Sequence, residues 1–245
     1  IAEGLRALIL YTAHVQDQVA LAGGHGAEAA RALDARNDLL LPLCKGYASE
    51  KVYELLAVSL QCFGGSGYCQ DFPIEQYVRD QKIDTLYEGT THIQALDLFF
   101  RKVARDGGET LRGLFGRAQA TLAEVDPNGP LAVEHAALSR ALADLQGLYG
   151  AMLAKLGESL YHVGLQGNRV LFATAEVVIG WLLLRQAAVA AAARETARDA
   201  DRDFYDGKLA AVRFYARNVL PGVTLARKLA EQSTLELMDV PEAAF

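Results

Sequence analysis

A carboxylate next to a glycine stands just before a predicted helix in the segment Leu86–Gln94, which reads Leu-Tyr-Glu-Gly-Thr-Thr-His-Ile-Gln. Glu88 could carry out acid–base chemistry, because a carboxylate shielded from water in an apolar cleft is a stronger general base. Taken alone, the position has a more ordinary explanation. An acidic residue near a helix N-terminus complements the helix dipole, and such residues are common.

A second segment, Gln61–Tyr68, has glycine at three of four consecutive positions, Gly64, Gly65 and Gly67. We call this segment the glycine loop. Glycines let a backbone turn sharply, let another group approach closely and can leave N–H groups open to a phosphate. We expect Gly65 to need positive φ, which a β-branched residue cannot easily adopt. On spacing alone, the more ordinary explanation is a turn that ends one helix.

The elements that must position both segments are helices, because apolar residues recur at spacings of three and four along nearly the whole chain. Before the paired glycines 107 and 108, the predicted helices run from the chain start to about Gly23, over Ala27–Phe63 with a kink or division at Pro42, over Pro73–Lys82, and onward from a cap at Thr90.

After those glycines the chain becomes rich in alanine and leucine. The predicted helices there are Glu109–Val125, a long one after Pro130 that breaks at Gly167-Asn168, Val170–Arg198, and one from Asp203 that is interrupted at Pro221. With no convincing strand pattern, the sequence predicts an all-α protein. We expect an antiparallel helical bundle in residues 1–105 and a second helical module in residues 106–245, whose apolar faces would be buried against the first part or another subunit.

Composition excludes several classes of function. The chain has 51% apolar and 22% charged residues and a net charge of −6, with no basic stripe, so nucleic-acid binding is not expected. Its three cysteines and five histidines show no metal-ligand spacing, so we predict no metal site and a reducing, cytoplasmic location. The longest uninterrupted apolar run, Val177–Leu184, is far shorter than a membrane span. Because the chain starts at Ile1 inside a helical pattern, we expect it to be part of a longer protein.

Together, the glycine loop and the Glu88 segment resemble the C-terminal signature of the acyl-CoA dehydrogenase family. That signature has a Q-x-x-G-G-x-G loop, an acidic residue, a proline, an Arg-Asp pair and then Y-E-G-T-x-x-I-Q. The matching residues here are Gln61, Gly64, Gly65, Gly67, Tyr68, Asp71, Pro73, Arg79, Asp80, Tyr87, Glu88, Gly89, Thr90, Ile93 and Gln94. The resemblance is strong over residues 1–105, and the rest is similar to the extra helical module of a longer-chain-length subgroup.

The resemblance implies an enzyme that forms a trans-2-enoyl-CoA from an acyl-CoA thioester. Glu88 would be the base that removes the α-proton while the β-hydrogen leaves as hydride to FAD, and a backbone N–H at the Glu would help to polarise the thioester carbonyl. Gly89 and Tyr87 would contact the substrate. This chain shows nothing like the family's middle β-domain, so by itself it should neither hold flavin nor turn over.

The resemblance also implies two stretches that bind FAD. One is the start of the glycine loop, and the other is a helix start whose free N–H groups favour phosphate. The implied residues are Gln61, Cys62, Phe63, Gly64 and Gly65 in the first stretch and Thr90, Thr91 and His92 in the second. His92 departs from the glutamine or small residue of many relatives, and Gln76 replaces a frequent lysine or arginine.

The implied partners are an acyl-CoA, identical subunits in a homodimer or homotetramer that shares FAD sites, and electron-transferring flavoprotein as the electron acceptor. Two alternatives stay open at this point. The chain could be a helical assembly module in which Glu88 is vestigial, or the extra helices could attach the protein to a membrane surface. The absence of a strongly basic face argues against the second alternative.

Overall fold

The computed structural model describes residues 1–244, and every regular element in that range is a helix. The prediction of an all-α chain is therefore confirmed. The chain forms two compact units, Ile1–Gly116 and a second unit that begins at Arg117. The division lies within one helix, Glu109–Glu124. The domain boundary placed between residues 105 and 106 from the sequence stays a prediction.

Five α-helices lie within the first unit. They are α1 (Ala2–Leu21), α2 (Arg31–Pro42), α3 (Ala48–Cys62), α4 (Ile74–Lys82) and α5 (Thr91–Leu96). A π-helical turn, Leu43–Tyr47, joins α2 to α3, and a second π-helical segment, Asp97–Ala104, follows α5. The predicted helix is not divided at Pro42, but it changes from α-helical to π-helical bonding directly after this residue, which has no N–H for the α-helical ladder.

The core of the first unit lies where α1, α2 and the two π-helical segments meet. Its fully buried side chains include Leu8, Leu39, Leu40, Leu43, Tyr47, Leu98 and Phe99. At the edge of this core, the Thr12 hydroxyl donates to the Leu8 carbonyl at 2.9 Å and lies 3.2 Å from the Cys44 sulfur. Burial raises the pKa of the Cys44 thiol, which disfavours the reactive thiolate form.

The second unit contains the end of α6 (Glu109–Glu124) and four further helices. These are α7 (Ala132–Leu156), α8 (Leu160–Arg194), α9 (Asp199–Asn218) and α10 (Pro221–Glu231). Helix α7 packs against α8, α9 and α10. Three residues connect α7 to α8, and four connect α8 to α9, which makes these neighbours antiparallel.

The helix break predicted at Gly167-Asn168 is wrong. Helix α8 runs through both residues, and the chain breaks earlier, at Gly157–Ser159, where the Ser159 hydroxyl accepts a hydrogen bond of 3.2 Å from the Tyr161 N–H. Gly167 is buried and Asn168 is exposed. The pair lowers the helix propensity of this stretch but does not disturb the packed face of α8. Close packing of α8 over its whole length outweighs that cost.

The apolar face of α7 is covered by the other helices of the second unit, α8, α9 and α10. Leu145, Leu148 and Met152 on α7 are fully buried, and the indole N–H of Trp181 on α8 donates to the Thr121 hydroxyl at 2.8 Å. The expectation that α7 needs the first part of the chain or another subunit to cover its face is therefore wrong. Helix α8 is long and apolar enough to cross a membrane, but 78% of its apolar window is buried inside the structure, as in a core helix.

Candidate active site

Glu88 has the one positive φ angle found at a non-glycine residue among residues 1–244. It forms a turn with Tyr87 and Gly89, which we call the Glu88 turn, between the 3₁₀ segment Ile83–Thr85 and helix α5. Glu88 has a φ of 59° and Gly89 a φ of 87°. A non-glycine residue in the left-handed region costs about 1–3 kcal/mol and persists where the surroundings hold it, which is frequent at functional sites.

Two side chains hold the Glu88 turn by its carbonyl groups. The Gln94 side-chain amide donates to the Glu88 carbonyl at 2.8 Å, and the Lys45 ammonium donates to the Gly89 carbonyl at 2.7 Å. Lys45 lies in the π-helical turn after Pro42, and its ammonium is also 5.8 Å from the centre of the Tyr87 ring. The sequence analysis did not identify Lys45, because a lone lysine 44 residues away carries no spacing signal.

Gly89 cannot be replaced without strain. Besides its positive φ, an added Cβ atom would lie 3.2 Å from the Ile93 side chain and 3.3 Å from the Gln94 amide nitrogen. The same amide donates to the Glu88 carbonyl, so a side chain at position 89 would push against one of the groups that hold the turn. The glycine is thus required by local geometry, before any contact with a substrate is considered.

The Glu88 turn forms part of the wall of an open cavity of about 250 Å³. Lys45, Asp84, Tyr87 and Glu88 contribute polar groups to this wall, and Val52 contributes an apolar surface. Glu88 and Tyr87 are both exposed within this chain. The arrangement presents a carboxylate, on a constrained turn, to a molecule that enters the cavity.

The second predicted FAD-binding stretch begins helix α5. Thr90 occupies the N-cap position, as predicted, but its hydroxyl makes no capping hydrogen bond. Thr91 is buried and its hydroxyl donates to the carboxylate of Glu50, so its side chain is engaged inside the protein. His92 is exposed. The groups in this stretch that could donate hydrogen bonds to a phosphate are the N–H groups of the first helical turn and the His92 imidazole.

The glycine loop begins with the last residues of α3 and lies mostly on the surface. Gln61 and Cys62 are the last residues of α3, and the Phe63 ring packs against Phe72 with ring centres 5.0 Å apart. The expectation that Gly65 needs positive φ is wrong, because Gly64 has a φ of 60° and Gly65 does not have a positive φ. A correct assignment would have needed the handedness of the helix end, which glycine spacing does not reveal.

Space around these glycines differs in a way that bears on a bound cofactor. An added Cβ at Gly64 or Gly65 would meet nothing within 4 Å, whereas at Gly67 it would lie 2.5 Å from the Leu60 carbonyl oxygen. Gly67 is therefore needed for the loop itself. Gly64 and Gly65 leave an open, side-chain-free surface that fits the close approach of a flat or phosphate-bearing group.

The first predicted FAD-binding stretch does not contribute to the cavity beside Glu88. The wall beside Glu88 includes none of the residues 61–65. Within the described chain, residues 1–244, no cluster of three histidine, cysteine or acidic side chains could hold a metal ion. The Glu88 turn thus lines this cavity without residues 61–65, and each segment could contact a different part of one extended ligand.

Family models match nearly the whole chain. Residues 3–101 match the model described as acyl-CoA dehydrogenase, C-terminal domain. Residues 114–241, more than half of the chain, match the model described as acetyl-CoA dehydrogenase C-terminal like. The chain belongs to the acyl-CoA dehydrogenase family. The motif in the glycine loop and the Glu88 segment is therefore the signature of this family, as the sequence indicated.

A curated relative in the acyl-CoA dehydrogenase family, the broad-specificity linear acyl-CoA dehydrogenase FadE5 of Mycobacterium tuberculosis, is 48% identical over the whole of this chain. The chain spans 41% of the length of that relative.

Two solved structures share the fold. An ACDH-11 structure from Caenorhabditis elegans in complex with C11-CoA matches 94% of this chain with a TM-score of 0.69 at 21% identity, over 38% of its own length. An acyl-CoA dehydrogenase from Bacillus anthracis complexed with FAD matches 94% with a TM-score of 0.62 at 17% identity, over 43% of its own length. At these identities the likeness shows the fold alone.

Proposed function

We propose that this chain is the C-terminal part of a flavin-dependent acyl-CoA dehydrogenase that converts an acyl-CoA thioester to the trans-2-enoyl-CoA. The observation that carries the proposal is the Glu88 turn, in which a carboxylate of the family signature occupies a constrained backbone conformation. Such a conformation persists where the surroundings hold it, and here Gln94 and Lys45 do so. A vestigial Glu88 in a pure assembly module would have no need of that arrangement.

Glu88 acts in this proposal as the general base. Its carboxylate removes a proton from the α-carbon of the thioester, and the backbone N–H of the turn polarises the thioester carbonyl so that negative charge can develop there. Gly89 and Tyr87 lie against the substrate. FAD, when bound, would supply the acceptor for the β-hydrogen, which leaves as a hydride.

Residues of two surfaces would hold FAD. The side-chain-free surface at Gly64 and Gly65, with Gln61, Cys62 and Phe63 before it, suits one part of the cofactor, and the first turn of α5 with Thr90, Thr91 and His92 suits another. The B. anthracis acyl-CoA dehydrogenase of the same fold, which is complexed with FAD, supports this cofactor. We also propose a homodimer or homotetramer in which identical subunits share FAD sites, as the family resemblance implies.

The substrate class we propose is linear acyl-CoA. The 48% identity to a relative named as a broad-specificity linear acyl-CoA dehydrogenase supports this class, as does the C11-CoA named for the C. elegans structure. We further propose electron-transferring flavoprotein as the acceptor and the cytoplasm as the location. The acceptor is implied by the family resemblance. The location follows from the three cysteines, which show no disulfide framework.

The test uses the full-length protein under anaerobic conditions. Its visible flavin absorbance is recorded before and after the addition of linear acyl-CoA thioesters of increasing chain length. We expect at least one thioester to bleach the flavin bands and to yield the trans-2-enoyl-CoA. A protein that carries no flavin, or whose flavin keeps its colour with every thioester, would contradict the proposal.

A further inference from the structure

We propose that Lys45 is a positioning residue that holds the Glu88 carboxylate in its reactive orientation. The inference rests on the proposed function, because it takes Glu88 as the base. Lys45 is outside the family signature quoted above and lies 44 residues before Gly89 in the chain. It acts through the backbone of the Glu88 turn and needs no contact with the substrate.

Lys45 contacts the turn on both sides of Glu88. Its ammonium donates a 2.7 Å hydrogen bond to the carbonyl of Gly89, and it lies 5.8 Å from the centre of the Tyr87 ring. A hydrogen bond from a charged donor is stronger than one between neutral groups. The cation also interacts with the face of an aromatic ring within about 6 Å. One side chain thus constrains the residue before the carboxylate and the residue after it.

The turn needs such constraints because its backbone conformation is sparsely populated. Glu88 and Gly89 are consecutive residues with positive φ, and a non-glycine residue rarely adopts this region. Their two carbonyl groups are bonded separately, that of Glu88 by Gln94 and that of Gly89 by Lys45. Loss of the Lys45 bond would free one end of the turn and let the carboxylate sample other orientations.

The backbone at Lys45 is held firmly by the fold. It belongs to the π-helical turn Leu43–Tyr47, in which Leu43, Gly46 and Tyr47 are buried. Lys45 is itself half-buried and shares the wall of the 250 Å³ cavity with Glu88. Buried neighbours on both sides fix the backbone from which the lysine reaches the turn. A positioning group must be held in this way to transmit order to a second residue.

The experiment separates removal of the α-proton from substrate binding. The full-length holoenzyme is mixed in deuterium oxide with a 3-thiaacyl-CoA, in which sulfur replaces the β-carbon so that the α-proton can leave but no hydride can. Mass spectrometry follows the entry of deuterium at the α-carbon. The dissociation constant of the same thioester, the FAD content and the melting temperature are measured alongside for Lys45→Met, Lys45→Arg and Glu88→Gln.

For Lys45→Met we expect exchange to slow by roughly tenfold or more, because small misplacements of a catalytic group cost rate steeply. The dissociation constant should stay within about threefold, since the lysine needs no contact with the substrate. FAD content and melting temperature should be retained. Lys45→Arg, which keeps a charged donor, should recover most of the rate. Lys51→Met is the matched control, because Lys51 is also a partly buried lysine near a tyrosine ring, on α3.

Exchange at the wild-type rate in Lys45→Met would overturn the proposal. So would a loss confined to the dissociation constant or to FAD content, which would make Lys45 a binding residue. If Lys45→Met does not fold, Lys45→Gln, a shorter neutral donor, decides the question by the same criteria. Glu88→Gln keeps the two claims apart. If that variant still exchanges, the proposed function fails, and if it does not while Lys45→Met is normal, only the role of Lys45 fails.

Discussion

The side-chain amide of Gln94 donates a hydrogen bond of 2.8 Å to the backbone carbonyl of Glu88, and so ties the first turn of α5 to the turn that carries the candidate base. This contact predicts that Gln94→Leu lowers turnover of the full-length enzyme by roughly tenfold, because the constrained turn loses one of its two side-chain donors. The matched control is Gln76→Leu, whose amide makes a long bond of 3.4 Å to Asp80 on exposed α4. Steady-state kinetics on both variants provide the check. Equal activities would show that the Gln94 bond does not matter for the reaction.

The glycine loop allows a paired test of loop geometry against cofactor contact. Gly67→Ala should distort the loop, because its Cβ would meet the Leu60 carbonyl oxygen at 2.5 Å, and we expect a lower melting temperature together with less bound FAD. Gly65→Ala has open space, so the melting temperature of the flavin-free protein should stay unchanged. Weaker FAD binding in Gly65→Ala alone would then report a direct cofactor contact. Unchanged FAD affinity in both variants would remove the loop from the FAD site.

Asp106 at the start of α6 predicts a pH dependence of stability. Burial opposes ionisation of this carboxyl, but hydrogen bonds from the Thr110 hydroxyl and from the backbone N–H groups of Thr110, Gly108 and Glu109 lower its pKa. The unfolded chain therefore takes up this proton first, at about pH 4. The stabilisation by Asp106 is present above that pH and is lost as the pH falls through the lower folded pKa.

The measurement for Asp106 compares melting temperatures of the wild type and Asp106→Ala across this range. At neutral pH we expect the variant to be less stable by about 1 kcal/mol, the usual cost of a lost cap. The stability difference between the wild type and Asp106→Ala should become smaller as the pH falls below about 4. Asp106→Asn, which keeps an acceptor but does not titrate, serves as the control. A difference that stays constant down to acid pH would contradict the assignment.

The buried hydrogen bond between Trp181 and Thr121 should contribute to the stability of the second unit. Thr121→Val keeps the shape but leaves the indole N–H without its 2.8 Å acceptor, which costs about 1–3 kcal/mol in a buried site. Thr121→Ser keeps the hydroxyl and should lose less. Urea unfolding followed by tryptophan fluorescence reports this region, because Trp181 is the one tryptophan in the chain. Equal stability of the two variants would mean that the bond contributes nothing.

Local sequence signals predicted the helices well and the contacts between them poorly. The turn at residues 126–130 marked a real interruption, and Pro42 marked a change from α-helical to π-helical bonding, since proline and glycine act on their own backbone. Gly167-Asn168 predicted a helix break that is absent, because the packing of α8 in the second unit keeps these residues helical. The family motif located Glu88, but the bond from Lys45 depends on bringing together residues 44 positions apart. No local pattern encodes such a contact, and only the folded chain shows it.

The most direct test of the central claim is the reduction of bound flavin in Glu88→Gln, measured anaerobically with the best linear acyl-CoA in rapid mixing. Glu54→Gln, a change of an exposed glutamate paired with Lys51 on α3, is the matched control. We predict that Glu88→Gln keeps its FAD and melting temperature and bleaches about 10²–10⁴-fold more slowly than the wild type, the usual effect of a lost general base, while the control reacts normally. Bleaching of Glu88→Gln at a rate close to that of the wild type would show that Glu88 is not the base.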